Sequence, residues 1–129
     1  MAREKILIIE DDTQTRENLE LILEMEGFEV RTAPNGLAGV KVALAEHPDL
    51  ILSDVLMPKL TGPEMVAQLK QRWPDLSVLF VTGYAGDASE VASFGDHDVL
   101  RKPFTLTALD QAIRRCGDAR AIEEQRLAG

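Results

Sequence analysis

The chain has 129 residues, 45% hydrophobic and 28% charged, a globular balance at about the length of one ordinary domain. A formal net charge of −8 argues against a surface built for DNA, RNA or anionic membranes, all of which attract basic faces. Cys116 is the one cysteine, so no internal disulfide can form, and a reducing, cytoplasmic setting fits.

The first apolar run, Ile6 to Ile9, is rich in β-branched residues and reads as a strand. It is too short for a secretory signal or for the about 20 apolar residues of a membrane span, so a soluble chain that stays inside the cell is expected. From Thr13 to Glu26, Leu19, Ile22, Leu23 and Glu26 stand at helical spacing, and Gly27 can end that helix. Phe28 to Ala33 reads as a second strand. Pro34-Asn35-Gly36 is a turn in which Asn35 can cap the next helix. In that helix Leu37, Val40 and Leu44 share a face up to Glu46. Pro48 breaks the chain before the third strand, Leu50-Ile51-Leu52. Gly62 to Trp73 reads as a helix with Met65, Val66 and Leu69 inward and Trp73 set against the sheet. Leu76 to Val81 is the fourth strand. A short helix is expected over Ala85 to Phe94, then a short fifth strand at Val99-Leu100. Thr105 opens a last helix carrying Leu109, Ile113 and Cys116, and 117–129 is either a helical extension or a tail.

The apolar runs do not alternate with polar residues, so the strands are covered on both faces. With helices between them, this predicts a doubly wound α/β fold around a five-stranded parallel sheet. If the strand order is 2-1-3-4-5, strands one and three are neighbours at the point where that order reverses. Ligands of open α/β sheets bind there, outside the carboxyl ends of the strands.

Polar residues collect at those ends. Glu10, Asp11 and Asp12 follow the first strand, Ser53 and Asp54 the third, Thr82 the fourth, and Arg101 and Lys102 the fifth. Carboxylates brought together repel one another unless a cation intervenes. With oxygen ligands alone, a hard cation such as Mg²⁺ is expected. A carboxylate can serve as nucleophile towards phosphorus, a lysine can pair with a phosphate, and a threonine hydroxyl can donate to one of its oxygens. Phosphoryl transfer needs mainly positioning and charge neutralisation, and this set supplies both.

Four motifs carry a family resemblance. They are Ile8-Ile9-Glu10-Asp11-Asp12 with Arg16, Asp54-Val55-Leu56-Met57-Pro58 with Gly62, Val81-Thr82-Gly83, and Lys102-Pro103-Phe104. Each is weak alone; in order, each after an apolar run, they resemble the receiver domain of two-component response regulators. The resemblance runs from about Lys5 to Cys116. It implies a flavodoxin-like receiver fold in which Asp54 is the phosphoacceptor. It implies Mg²⁺ held by Asp11, Asp54, the backbone carbonyl of Leu56 and, through water, Glu10. Thr82 would move towards the phosphoryl group and Lys102 would pair with it, next to a Lys102-Pro103 bond that is usually cis in the family. Asp12 is an extra acid whose blander role is to cap the first helix. The implied partners are a histidine kinase or histidine phosphotransfer protein as donor. An output protein, or a second copy, would bind on the face formed from the fourth to the fifth helix.

The sequence also departs from the family. Val99 stands where a Tyr or Phe is common, which puts the usual aromatic switch in doubt, and the stretch from Thr82 to Lys102 is short. Leu56 and Tyr84 stand at positions that tune reaction rates in the family, and both could restrict water near an acyl phosphate. Two other readings stay open. One is a pseudo-receiver that keeps the fold as a binding module without phosphorylation. The other is an aspartate-dependent phosphohydrolase, against which Leu56 counts because those enzymes carry a second Asp there. The remaining singular residues have structural readings: His47 and His97 as loop residues, and Cys116 as an inert residue of an apolar helix face.

Overall fold

The computed structural model describes residues 4–54, 62–73, 76–82, 98–101 and 104–115. The elements in chain order are β1 (Lys5–Ile9), α1 (Thr13–Met25), β2 (Glu29–Ala33), α2 (Gly36–Glu46), β3 (Leu50–Asp54), α3 (Gly62–Arg72), β4 (Ser77–Thr82) and β5 (Asp98–Arg101). A further helix, α4, covers 106–115. The strands form one sheet in the order β2-β1-β3-β4-β5, and every pairing is parallel. The doubly wound reading and its strand order are thereby met.

Strand alternation divides the interior in two, because successive side chains of a strand point to opposite faces. Leu7, Ile9, Ile51, Val78 and Phe80 form one cluster with Ala43 of α2 and Met65, Val66 and Leu69 of α3. Ile6, Ile8, Leu50, Leu52, Leu79 and Val81 form the other with Leu19 and Leu23 of α1 and Leu109, Ala112 and Ile113 of α4. The sheet is therefore sandwiched, α2 and α3 on one side and α1 and α4 on the other. Burying each large aliphatic side chain contributes roughly 1.5–3 kcal/mol.

The helix ends follow from local chemistry. Asp12 caps α1, its carboxylate accepting from the Thr15 N–H at 2.9 Å and the Thr15 hydroxyl at 2.6 Å. At the other end Gly27 takes φ +99, its N–H bonding the Glu24 carbonyl while that of Phe28 bonds Leu23. This is a Schellman close, which needs a left-handed residue where glycine sits without strain. Asn35 caps α2 through Ala38 N–H at 2.9 Å, and the Thr105 hydroxyl accepts from Ala108 N–H at 3.0 Å ahead of α4. Glu64 in the first turn of α3 and Lys70 and Arg72 in the last complement its dipole.

One face differs from the sequence expectation. Leu37 and Leu44 of α2 are 48% and 39% exposed, while Gly36, Gly39 and Ala43 are buried. The helix turns its smallest residues to the sheet because it lies close to β1. A Cβ on Gly39 would come within 2.5 Å of Ile9 Cδ1. Val40 packs at the edge of the same cluster.

At the amino end of the sheet, charged groups tie three elements together. Lys5 Nζ reaches both the side chain and the carbonyl of Glu46 at 3.0 Å, and Arg31 Nε lies 3.4 Å from Glu46 Oε1. The Lys5 N–H bonds Asp49 Oδ2, and the Asp49 N–H bonds the Lys5 carbonyl, both at 2.8 Å. The Lys5 hydrogen bond, helped by Arg31, holds the Glu46 carboxyl below its ordinary value. Nearby, His47 ends α2 at φ 49 and meets Trp73 edge to face, ring centroids 5.2 Å apart. Trp73 packs on the α2–α3 side of the core, as expected.

Candidate functional site

The pairing of β1 with β3 runs from Ile6 opposite Leu50 to Ile9 opposite Ser53. The next residue of each chain segment is therefore Glu10 beside Asp54, at the carboxyl end of the sheet. These two neighbouring strands feed helices on opposite sides, so the crevice of the doubly wound fold opens between them. Asp54 closes β3 rather than following it, because it still pairs with Val81 of β4. Thr82 likewise ends β4, opposite Arg101 of β5.

Here Glu10, Asp11 and Asp54 each bring a carboxylate oxygen within 4.8 Å of the others. Glu10 is only 3% exposed, Asp54 is half-buried and Asp11 faces solvent. The backbone of the β1–α1 turn is fixed at several points. The Glu10 N–H continues the sheet to the Ala33 carbonyl at 3.1 Å. Its carbonyl accepts from Arg16 Nη1 at 2.9 Å, and its carboxylate accepts from the Asp12 N–H at 3.3 Å. Asp12 is held in turn as the α1 cap, and its carbonyl accepts the Arg16 N–H at 2.9 Å. On β3, the buried Ser53 donates its hydroxyl to the Asp54 carbonyl at 2.9 Å.

Three acids at this range repel in a half-buried crevice, and a cation relieves that repulsion. All the donors are carboxylate oxygens, which suits a hard divalent ion with near-octahedral demands better than a soft transition metal. Of the residues singled out in the sequence, the structure gathers Glu10, Asp11 and Asp54 and places the Thr82 backbone at the neighbouring strand end. Leu56, Tyr84, Lys102, the Lys102-Pro103 bond, Cys116, the helix expected over 85–94 and the stretch 117–129 lie outside the described residues. Val99 falls within β5. The Arg16 contact to the Glu10 backbone was missed. The only signal for it was a long donor one turn into α1, at a spacing from Glu10 that lets it reach back over the turn.

Residues 6–114 match the family model described as response regulator receiver domain. The chain belongs to the response regulator receiver family. The sheet order and the two helical layers are thus those of a receiver. Among curated relatives, response regulator MprA of Mycobacterium avium is 35% identical over 112 residues, covering 85% of this chain and 49% of that protein. MprA of Mycobacterium ulcerans is 34% identical, covering 85% and 48%. The chain thus spans about half the length of the curated relatives it matches. The receiver is also similar to a CheY-like response regulator receiver domain protein from Methanospirillum hungatei, with a TM-score of 0.86 and 30% identity over 95% of this chain and 99% of that one. It resembles response regulator TrrA from Thermotoga maritima, solved in complex with Mg²⁺-BeF, with a TM-score of 0.80 and 26% identity over 88% and 98%. No helix among the described residues of the receiver is long and apolar enough to cross a membrane.

Proposed function

We propose that this receiver accepts a phosphoryl group on Asp54 from a histidine kinase or a histidine phosphotransfer protein, and that the change alters which partner it binds. The observation that carries the reading is the convergence of Glu10 and Asp11 from β1 with Asp54 from β3 at the strand-order switch. A carboxylate oxygen of Asp54 attacks the phosphorus as the bond to the donor's histidine nitrogen breaks, leaving an acyl phosphate and a free imidazole. Asp11 and Asp54, with the Leu56 carbonyl and Glu10 through water, are the groups that would hold Mg²⁺. When bound, Mg²⁺ offsets the charge shared by the acids and the incoming phosphoryl oxygens. The complex of TrrA with Mg²⁺-BeF supports this choice of ion. Lys102 pairs with the phosphoryl group and the Thr82 hydroxyl donates to it. In this reading the unit works in the cytoplasm as a single receiver over about 5–116, with 117–129 as extension or tail. It is a switch rather than a turnover enzyme.

The test is to incubate the protein with acetyl phosphate and Mg²⁺ and weigh it intact, beside Asp54→Asn and a metal-chelated control. One phosphoryl adduct that needs both Asp54 and Mg²⁺ is expected. If acetyl phosphate gives no adduct and beryllofluoride does not bind, the pseudo-receiver reading replaces this one. Sustained phosphate release from a small monoester would replace it with the phosphohydrolase reading.

A further inference from the structure

Arg16 is the one cationic residue that α1 carries, and it spends a guanidinium hydrogen bond on a backbone carbonyl beside three carboxylates. The Glu10 carbonyl that receives it belongs to a 3% exposed residue whose N–H is already committed to Ala33. Glu10 is thus gripped through both of its peptide groups, by β2 on one side and α1 on the other. The grip closes a ring. The Glu10 carboxylate accepts from the Asp12 N–H, the Asp12 carbonyl accepts the Arg16 N–H, and the Arg16 side chain returns to the Glu10 carbonyl. Asp11 sits inside that ring with its side chain facing outward, so its direction is set by its two fixed neighbours.

We infer that Arg16 is a positioning residue for the cation site: it fixes the β1–α1 turn so that Glu10 and Asp11 meet Asp54. The inference rests on the reading of the acid cluster as a Mg²⁺ site. It makes a prediction whose sign separates it from a simple charge effect. Removing a cation beside three carboxylates makes their field more negative, which by charge alone tightens Mg²⁺ binding. Removing a positioning contact lets the turn relax and weakens it. Groups that orient metal ligands typically cost about 10–100-fold in metal affinity when lost.

The test measures the Mg²⁺ dissociation constant of the whole chain by isothermal titration calorimetry, for wild type, Arg16→Met and Arg16→Lys. Met keeps the apolar stem and loses the donors; Lys keeps a cation that can still donate to the carbonyl. Melting without metal is recorded for each, because a merely structural role lowers the melting temperature and leaves the Mg²⁺ constant of the folded protein alone. Arg16→Met is expected to bind Mg²⁺ about tenfold or more weakly, with Arg16→Lys recovering part of the loss. Unchanged or tighter binding by Arg16→Met overturns the inference while leaving the Mg²⁺ reading in place. A wild type that binds no Mg²⁺ overturns that reading and the inference with it.

Discussion

At the residue scale, the β1–α1 turn shows how a few polar atoms divide their work. Three acids stand in a row, yet they have different surroundings: Glu10 is buried, Asp11 faces solvent beside Asp54, and Asp12 closes a helix. Asp12 is expected to matter for stability. Asp12→Ala should cost about 1 kcal/mol, the usual loss of an N-cap, whereas Asp12→Asn, which keeps an oxygen for the Thr15 N–H, should cost little; chemical denaturation checks both. That these acids would converge was legible in the sequence, because polar residues directly after apolar runs in an α/β pattern must fall at the carboxyl ends of strands. The Arg16 contact was not. A side chain that donates to a backbone carbonyl has no complementary residue type to betray it, and only the folded turn brings the two together.

At the element scale, the strands were legible and one helix face was not. Ile6 to Ile9, Leu50 to Leu52 and Val78 to Val81 are unbroken apolar runs because both faces of their strands are covered, and the structure buries them as expected. The face of α2 was read from its largest side chains, Leu37, Val40 and Leu44, since hydrophobic periodicity weights size. What decides the contact is distance instead: glycine and alanine let the helix approach β1, and the leucines remain at the surface. Even a methyl at Gly39 forces the fully buried Ile9 to move, since it would lie 2.5 Å from Cδ1 and 3.1 Å from Cγ1. Gly39→Ala should therefore lose about 1 kcal/mol, because overpacking outweighs the gain in helix propensity of about 0.5–1 kcal/mol. Gly39→Leu should lose about 2–3 kcal/mol by overpacking, read as a lowered denaturation midpoint.

At the scale of the whole molecule, the two ends of the sheet carry different charge arrangements. The carboxyl end gathers acids, while the amino end neutralises its acids with Lys5 and Arg31. Because the Glu46 carboxyl is held below its ordinary value in the folded state, its contribution is fully present above the unfolded value. It is lost as pH falls through the lowered folded value. The melting temperature of wild type should thus exceed that of Glu46→Gln at neutral pH, and the gap should close on acidification through the carboxylate range. The pair is partly exposed, so salt should narrow the gap as well.

The alternation of side chains along β3 also makes the strand a counting device. Leu50 and Leu52 face one core, Ile51 the other, and the same count delivers Asp54 to the crevice. A single residue inserted between Leu50 and Asp54 would act as a frameshift does in a gene: every side chain beyond it would exchange faces, and the carboxylate would arrive out of phase with Glu10. Such strands can exchange one apolar side chain for another but cannot change length, so indels in proteins of this architecture belong in the connections.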